Sequence, residues 1–299
     1  MTRRLPLLAA ATVLCCGTVA AQIAAPALSS RTVYVTVLDK HGMPINGLTA
    51  EDFEVKEGGK SVAIDQAAIA KEPLQIAIIV DDNGTGLFRS PLMRFVQRMD
   101  GYAVMAVSSV VGQTMKLVDY TSNVDALVQG IATLNARPGT PDGGQLLEGI
   151  SEAALELRKR EAKRPIIIAL TVGGTEHSTV NSDHVLDQLR KSGASLHVFS
   201  VAASALRSTV TATAPRDLLQ ENMHLGRVLG DGPKQTGGTH QQIVASAGFL
   251  IGLQNLATEL VGQYRITYSL PPGAKKSDKL NVSTRRRDVV VRAPSKIPT

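Results

Sequence analysis

Residues 74–86 read LQIAIIVDDNGTG, and their reading decides the fold. Leu74 to Val80 is an apolar run interrupted only by Gln75, and it ends abruptly in Asp81, Asp82, Asn83, Gly84, Thr85 and Gly86. A short apolar run bounded by turn residues reads as a strand buried on both faces of a parallel sheet. In an open α/β sheet, ligands bind outside the carboxyl ends of the strands. Asp81, Asn83 and Thr85 therefore stand at the edge where oxygen ligands would meet a hard divalent cation. Asp, Asn and Gly are also ordinary turn residues, so a plain polar turn is the alternative at this point.

Working outward from this stretch, strands and helices alternate. Residues 87–99 have helical spacing. Residues 102–111 and 115–120 read as two strands joined at Gly112-Gln113-Thr114, a hairpin rather than a crossover. Residues 123–134 and 145–162 are expected helices, and 165–172 is a second deeply buried strand. A helix at 183–192 and a strand at 195–202 follow. The segment 203–238 has no clear element. Residues 241–262 read as a helix broken or bent near Gly248, and 264–270 as the last strand of the sheet. This alternation implies a mainly parallel sheet with helices on both faces and one antiparallel strand at its edge.

The flanks read differently. Residues 31–72 alternate in short strands and turns, a small antiparallel β unit. Residues 271–299 form a basic tail whose two expected strands, 280–284 and 289–292, pair with that unit. Residues 1–21 carry Arg3 and Arg4, an apolar stretch, and Val19-Ala20-Ala21, the pattern of a cleaved secretory signal. Residues 22–30 are a linker, 31–72 the β unit and 73–270 the α/β domain. Both cysteines, Cys15 and Cys16, fall inside the signal, so the mature chain has no disulfide, zinc–thiolate site or cysteine nucleophile. The expected location is secreted or periplasmic, with no transmembrane anchor in the mature chain.

The net charge is +6. The tail concentrates it, with Lys275, Lys276, Lys279, Arg285, Arg286, Arg287, Arg292 and Lys296 against Asp278 and Asp288. An exported chain with no tryptophan and only 3% aromatic residues has few platforms for stacking bases, which argues against nucleic acid as a partner.

These residues resemble the von Willebrand factor A domain. The match narrows to the secreted bacterial von Willebrand A-related proteins abundant in Acidobacteria. Val35-Thr36-Val37-Leu38-Asp39 and Gly47-Leu48-Thr49-Ala50-Glu51-Asp52-Phe53-Glu54-Val55 are similar to their opening. Glu259-Leu260-Val261-Gly262-Gln263-Tyr264-Arg265-Ile266-Thr267-Tyr268 is similar to their closing helix and strand. The resemblance implies a von Willebrand A-like, Rossmann-like sheet with a small β subdomain from the two flanks. It also implies a metal-ion-dependent adhesion site at Asp81, Asn83, Thr85 and a distant Thr, here Thr140. The family's later Asp is replaced by Val172, so the site is degraded. It would hold one weakly bound Mg or Mn ion, with Asp82, Asp142 or Glu176 as compensating acids. The expected partner-binding edge comprises Asp82, Asp142, Thr175, Glu176 and His177.

No Gly-x-Ser-x-Gly, His-Glu-x-x-His or phosphate-loop pattern is present. Glu176, His177, Asp183 and His184 could form an acid/base group, but residues of these types more often serve loops and helix caps. The expected function is therefore a non-enzymatic, adhesion-type module that binds a protein of the cell envelope or the exterior. The alternatives are a metal-free structural or assembly subunit of the envelope and, more weakly, a hydrolase.

Overall fold

The computed structural model describes residues 29–134, 144–202, 216–270 and 277–298. The expected signal, Thr140 and Asp142 lie outside these described residues. The alternation at residues 33–37 builds β1 (Ser29–Leu38), which begins inside the expected linker. β2 (Phe53–Glu57) and β3 (Lys60–Ile69) follow as a hairpin turned at Gly58-Gly59.

The apolar run becomes β4 (Leu74–Asp81), followed by α1 (Arg89–Arg98). β5 (Ala103–Val111) and β6 (Gln113–Thr121) form the expected edge hairpin, with Gly112 alone between them. α2 (Val124–Ala132), α3 (Leu146–Lys159), β7 (Arg164–Thr171), α4 (Ser182–Ser192) and β8 (Ser195–Val201) continue the alternation. α5 (Arg216–Thr236) occupies much of the segment that had no expected element. β9 (His240–Ile243), α6 (Ser246–Val261), β10 (Tyr264–Leu270), β11 (Leu280–Thr284) and β12 (Val290–Arg292) complete the described chain.

The first sheet is six-stranded, in the order β6-β5-β4-β7-β8-β9, parallel except for β6. In chain order this is the 3-2-1-4-5-6 arrangement of doubly wound sheets. β4 and β7 lie at its centre, in register from Leu74 opposite Arg164 to Asp81 opposite Thr171. Because side chains alternate along a strand, Ile76, Ile78, Val80, Ile168, Leu170 and Val172 pack against α1, α2 and α6. Ala77, Ile79, Ile167 and Ala169 pack on the opposite face, against α3, α4 and α5. The expected von Willebrand A-like architecture, a mainly parallel sheet covered on both faces, is present.

The second sheet is antiparallel, in the order β11-β2-β3-β10-β1-β12. A backbone bridge between Lys279 and Lys296 links its two ends, and the sheet curls around Val35, Val37, Phe53, Val55, Ile266 and Val282. Tyr264 lies inside it, donating from its hydroxyl to the Ile45 carbonyl and accepting from the Leu48 N–H.

Three expectations are corrected here. β10 is not the last strand of the parallel sheet; it sits between β3 and β1 in the antiparallel one. Its burial alternates, with Tyr264, Ile266, Tyr268 and Leu270 inward. A central parallel strand would be apolar on both faces. The sixth parallel strand is β9, which the sequence places in a helix. His240, Gln241 and Gln242 mask a strand that lies at the sheet's edge, where polar residues are tolerated. Finally, α6 runs unbroken through Gly248. A Cβ there would lie 2.7 Å from Ile243 Cγ2, so this glycine serves close packing of β9 and does not bend the helix. No helix among the described residues is long and apolar enough to cross a membrane.

Candidate functional site

The carboxyl ends of β4 and β7 bring together the loops after both strands and the start of α3. Asp81 is the last residue of β4 and points to the α3 side of the sheet, by the alternation that sends Val80 to the other side. Its Oδ2 accepts a 2.6 Å hydrogen bond from the Thr171 hydroxyl, its register partner on β7. Thr171 Oγ1 in turn accepts the Gly173 N–H at 2.8 Å. Burial lifts the Asp81 carboxyl to about 6; the Thr171 bond opposes the rise and the neighbouring Asp82 adds to it.

Asp82 turns inward and is 1% exposed. Its two carboxylate oxygens accept the N–H groups of Gly84, at 3.0 Å, and Gly86, at 2.9 Å. It is the brace of the loop and has no surface to offer a partner, contrary to the expected role. Asn83 adopts a left-handed backbone conformation, which Asn tolerates, and is exposed. Thr85 is also exposed, and its hydroxyl accepts the Leu87 N–H at 3.3 Å.

After β7 the chain passes Gly173 and Gly174 and pairs briefly with the start of α3. Gly144 donates its N–H to the Thr175 carbonyl, and its carbonyl accepts the His177 N–H. That bridge points Glu176 inward at 3% exposure. Glu176 Oε1 accepts from the Ser178 hydroxyl and from the Leu147 N–H. Burial raises its carboxyl to about 7; these two donors oppose the rise, and Asp81 and Glu148 add to it. Glu148 Oε1 holds the Thr179 N–H and hydroxyl, and its buried Oε2 has no partner among the described residues. His177 Nδ1 lies 3.8 Å from Glu221 Oε2 at the rim.

Of the expected residues, Asp81 and Glu176 are thus brought into one electrostatic neighbourhood. Thr175 and His177 line its approach, and Asn83 and Thr85 lie on the outer loop. Sequence reasoning missed Thr171, Gly144 and Glu148. The signal for Thr171 was available, since the two apolar runs pair end to end when laid side by side. The position facing Asp81 is that of Thr171; Val172 packs in the core on the opposite face, so restoring an Asp at 172 would put a charge into apolar surroundings.

The residues present fit a tightly held cation poorly. A Cβ on Gly144 would come within 3.4 Å of Asp81 Oδ1, so the bare backbone there leaves room beside that oxygen. The surrounding donors are few, however. Asp82 is committed to backbone N–H groups, and the remaining oxygens, of Asn83 and Thr85, are neutral. Among the described residues no group of three or more His, Cys, Asp or Glu is arranged to hold a metal. One carboxylate with neutral oxygens makes a weak site for a hard cation.

Two further polar groups centre on buried side chains. Ser182 is fully buried, its Oγ 3.0 Å from His224 Nδ1 and accepting from Arg227. Asn181, not Asp183, caps α4 by accepting the His184 N–H. His197 is buried between Ser195 and Thr239, and burial pushes its ring down to about 3, so it stays neutral.

No protein-family model and no characterised protein matches the chain by sequence. Among solved structures it is similar to the hypothetical protein BatB from Bacteroides thetaiotaomicron. The identity is 14%, over 62% of this chain and 98% of that one, at a TM-score of 0.45. It is similar to a von Willebrand factor type A protein from Catenulispora acidiphila, 11% identical over 89% of this chain and 71% of that one, at 0.46. Proximal thread matrix protein 1 from mussel byssus, with a zinc-occupied MIDAS motif, is 16% identical over 70% of this chain and 50% of that one, at 0.44.

Proposed function

We propose that this chain, a von Willebrand A-type fold joined to a six-stranded β subdomain, is an exported, non-enzymatic, adhesion-type module that binds a protein partner. The observation that carries the reading is the convergence of Asp81, Thr171, Gly144 and Glu176 at the carboxyl edge of the parallel sheet, where such sheets receive ligands. The partner is a protein of the cell envelope or the exterior, and it meets the loops bearing Asn83, Thr85, Thr175 and His177. A magnesium or manganese ion would be held weakly there by Asp81 with help from Asn83, Thr85 and Thr140, and would supply a positive point for a partner's carboxylate or carbonyl.

A second reading has its own observation. Arg285, Arg286 and Arg287 stand exposed on the turn after β11, and they would suit docking of an envelope assembly subunit. Affinity capture from envelope extracts separates the two. The probes are the wild type, an Asp81→Asn/Glu176→Gln variant and an Arg285→Glu/Arg287→Glu variant. The binding reading expects a protein retained by the wild type and the arginine variant and lost by the carboxyl variant. The reverse pattern would favour the assembly reading.

A further inference from the structure

At the opposite end of β7 lies a buried cation without an acid of its own. Arg164, the first residue of that strand, is 4% exposed. Nη1 donates to the Glu72 carbonyl at 2.8 Å, and Nη2 to the Leu260 carbonyl at 2.7 Å and to Gln263 Oε1 at 3.1 Å. All three acceptors are neutral. The Tyr34 ring lies 5.4 Å from the guanidinium carbon. The buried Nε has no hydrogen-bond partner among the described residues. Glu72 is the nearby acid, and it is shared: its Oε1 accepts from Arg265 at 2.5 Å.

Beside Arg164 is a cavity of about 200 Å³ between β1 and the starting ends of β7 and β8. Thr32, Tyr34, Lys163, Arg164, Ser195 and Gln263 are among its walls, and none of its lining residues is acidic. A guanidinium stays charged at every ordinary pH and presents five donors. Buried charges are normally paired. Water in a cavity of this size could satisfy the Nε hydrogen, but the carboxylate that offsets the guanidinium charge, Glu72, is shared with Arg265. Two positive side chains, a tyrosine and a threonine hydroxyl, an amide and no carboxylate make a lining chemistry complementary to an oxyanion.

We propose that this cavity, between the β subdomain and the parallel sheet, binds a small oxyanion of the size of phosphate, sulfate or a short dicarboxylate, held by Arg164 and Lys163. The site stands apart from the Asp81 edge and does not depend on the function proposed for it. A bound oxyanion would also tie the β subdomain to the sheet, because β1 supplies one wall and β7 the cation.

Titration calorimetry and thermal melting test this with inorganic phosphate, sulfate and malonate, against sodium chloride at matched ionic strength. At least one oxyanion should bind and raise the melting temperature beyond chloride, and the order among the three assigns phosphate-like or carboxylate chemistry. Lys163→Glu, at an exposed position, should still fold and should weaken oxyanion binding at least ~tenfold. Arg164→Gln should lose binding altogether; if it does not fold, Lys163→Glu decides alone. Equal effects of chloride and all three oxyanions, or equal affinity in the wild type and Lys163→Glu, would overturn the proposal.

Discussion

The two ends of the central strand pair solve the burial of charge in opposite ways. At the carboxyl end, half-buried Asp81 has one donor and buried Glu176 has two, and both carboxyls rise toward neutrality. At the amino end, Arg164 is buried and cannot shed its proton, so it gathers carbonyls and an aromatic face instead. A buried acid can relieve its own desolvation by protonation, and a buried arginine cannot. The acid end therefore titrates within an ordinary pH range. The arginine end is a fixed joint, built from the β3–β4 connection, α6 and the stretch leading into β10.

The strand between these ends sets the scale. Ile167 is fully buried mid-strand, and Ile167→Asp should unfold the domain or cost more than about 4 kcal/mol in denaturant melts. A loss no greater than that of Asp81→Ala would show that the buried-strand assignment is wrong. Arg164→Gln comes next. It orphans up to three buried acceptors and should cost roughly 2–4 kcal/mol by the same melts. A neutral result would mean that Arg164 does not brace the two sheets, and the contrast between the ends would lose one side.

The acid end should show itself in pH dependence. Asp81 has a folded value of about 6 against an ordinary 3.8, and Glu176 about 7 against 4.5. Both hold their protons more tightly when folded. Their contribution to stability is therefore complete below the unfolded values and is lost as pH rises through the folded ones. Relative to Asp81→Asn/Glu176→Gln, the wild type should lose several kcal/mol, at most about 6, between pH 4 and pH 7.5. Chemical denaturation at a series of pH values checks this. Parallel stability curves for the two proteins would place both carboxyls in water.

Much of the sheet was legible because its central strands are continuous apolar runs: Leu74 to Val80 and the isoleucines of β7 admit few other readings. β9 was hidden because an edge strand of four residues reading HQQI carries no apolar signal. β10 was placed in the wrong sheet because its position after a helix suggested another parallel strand, although its alternation pointed to a half-exposed one. In the site, Asp81 was legible as an acid at a strand end. Its partner Thr171 looked like one more residue of a buried run, and the inward turn of Asp82 depends on backbone N–H groups that no side-chain pattern reveals. The Glu176 neighbourhood required the bridge between Gly144 and Glu176, two loop segments whose meeting is a property of the folded chain.

On the proposed reading the carboxyl edge is a weak, incomplete cation site whose open position is the one facing Asp81. Calorimetric titration with manganese tests it most directly, using the wild type and Thr171→Asp. The wild type should bind at about millimolar strength, as sites with few charged ligands do. Thr171→Asp places a second carboxylate opposite Asp81, so it should bind at least about tenfold more tightly. It should also be destabilised without metal by repulsion between the two acids. Micromolar binding by the wild type, or no gain in Thr171→Asp, would contradict the account.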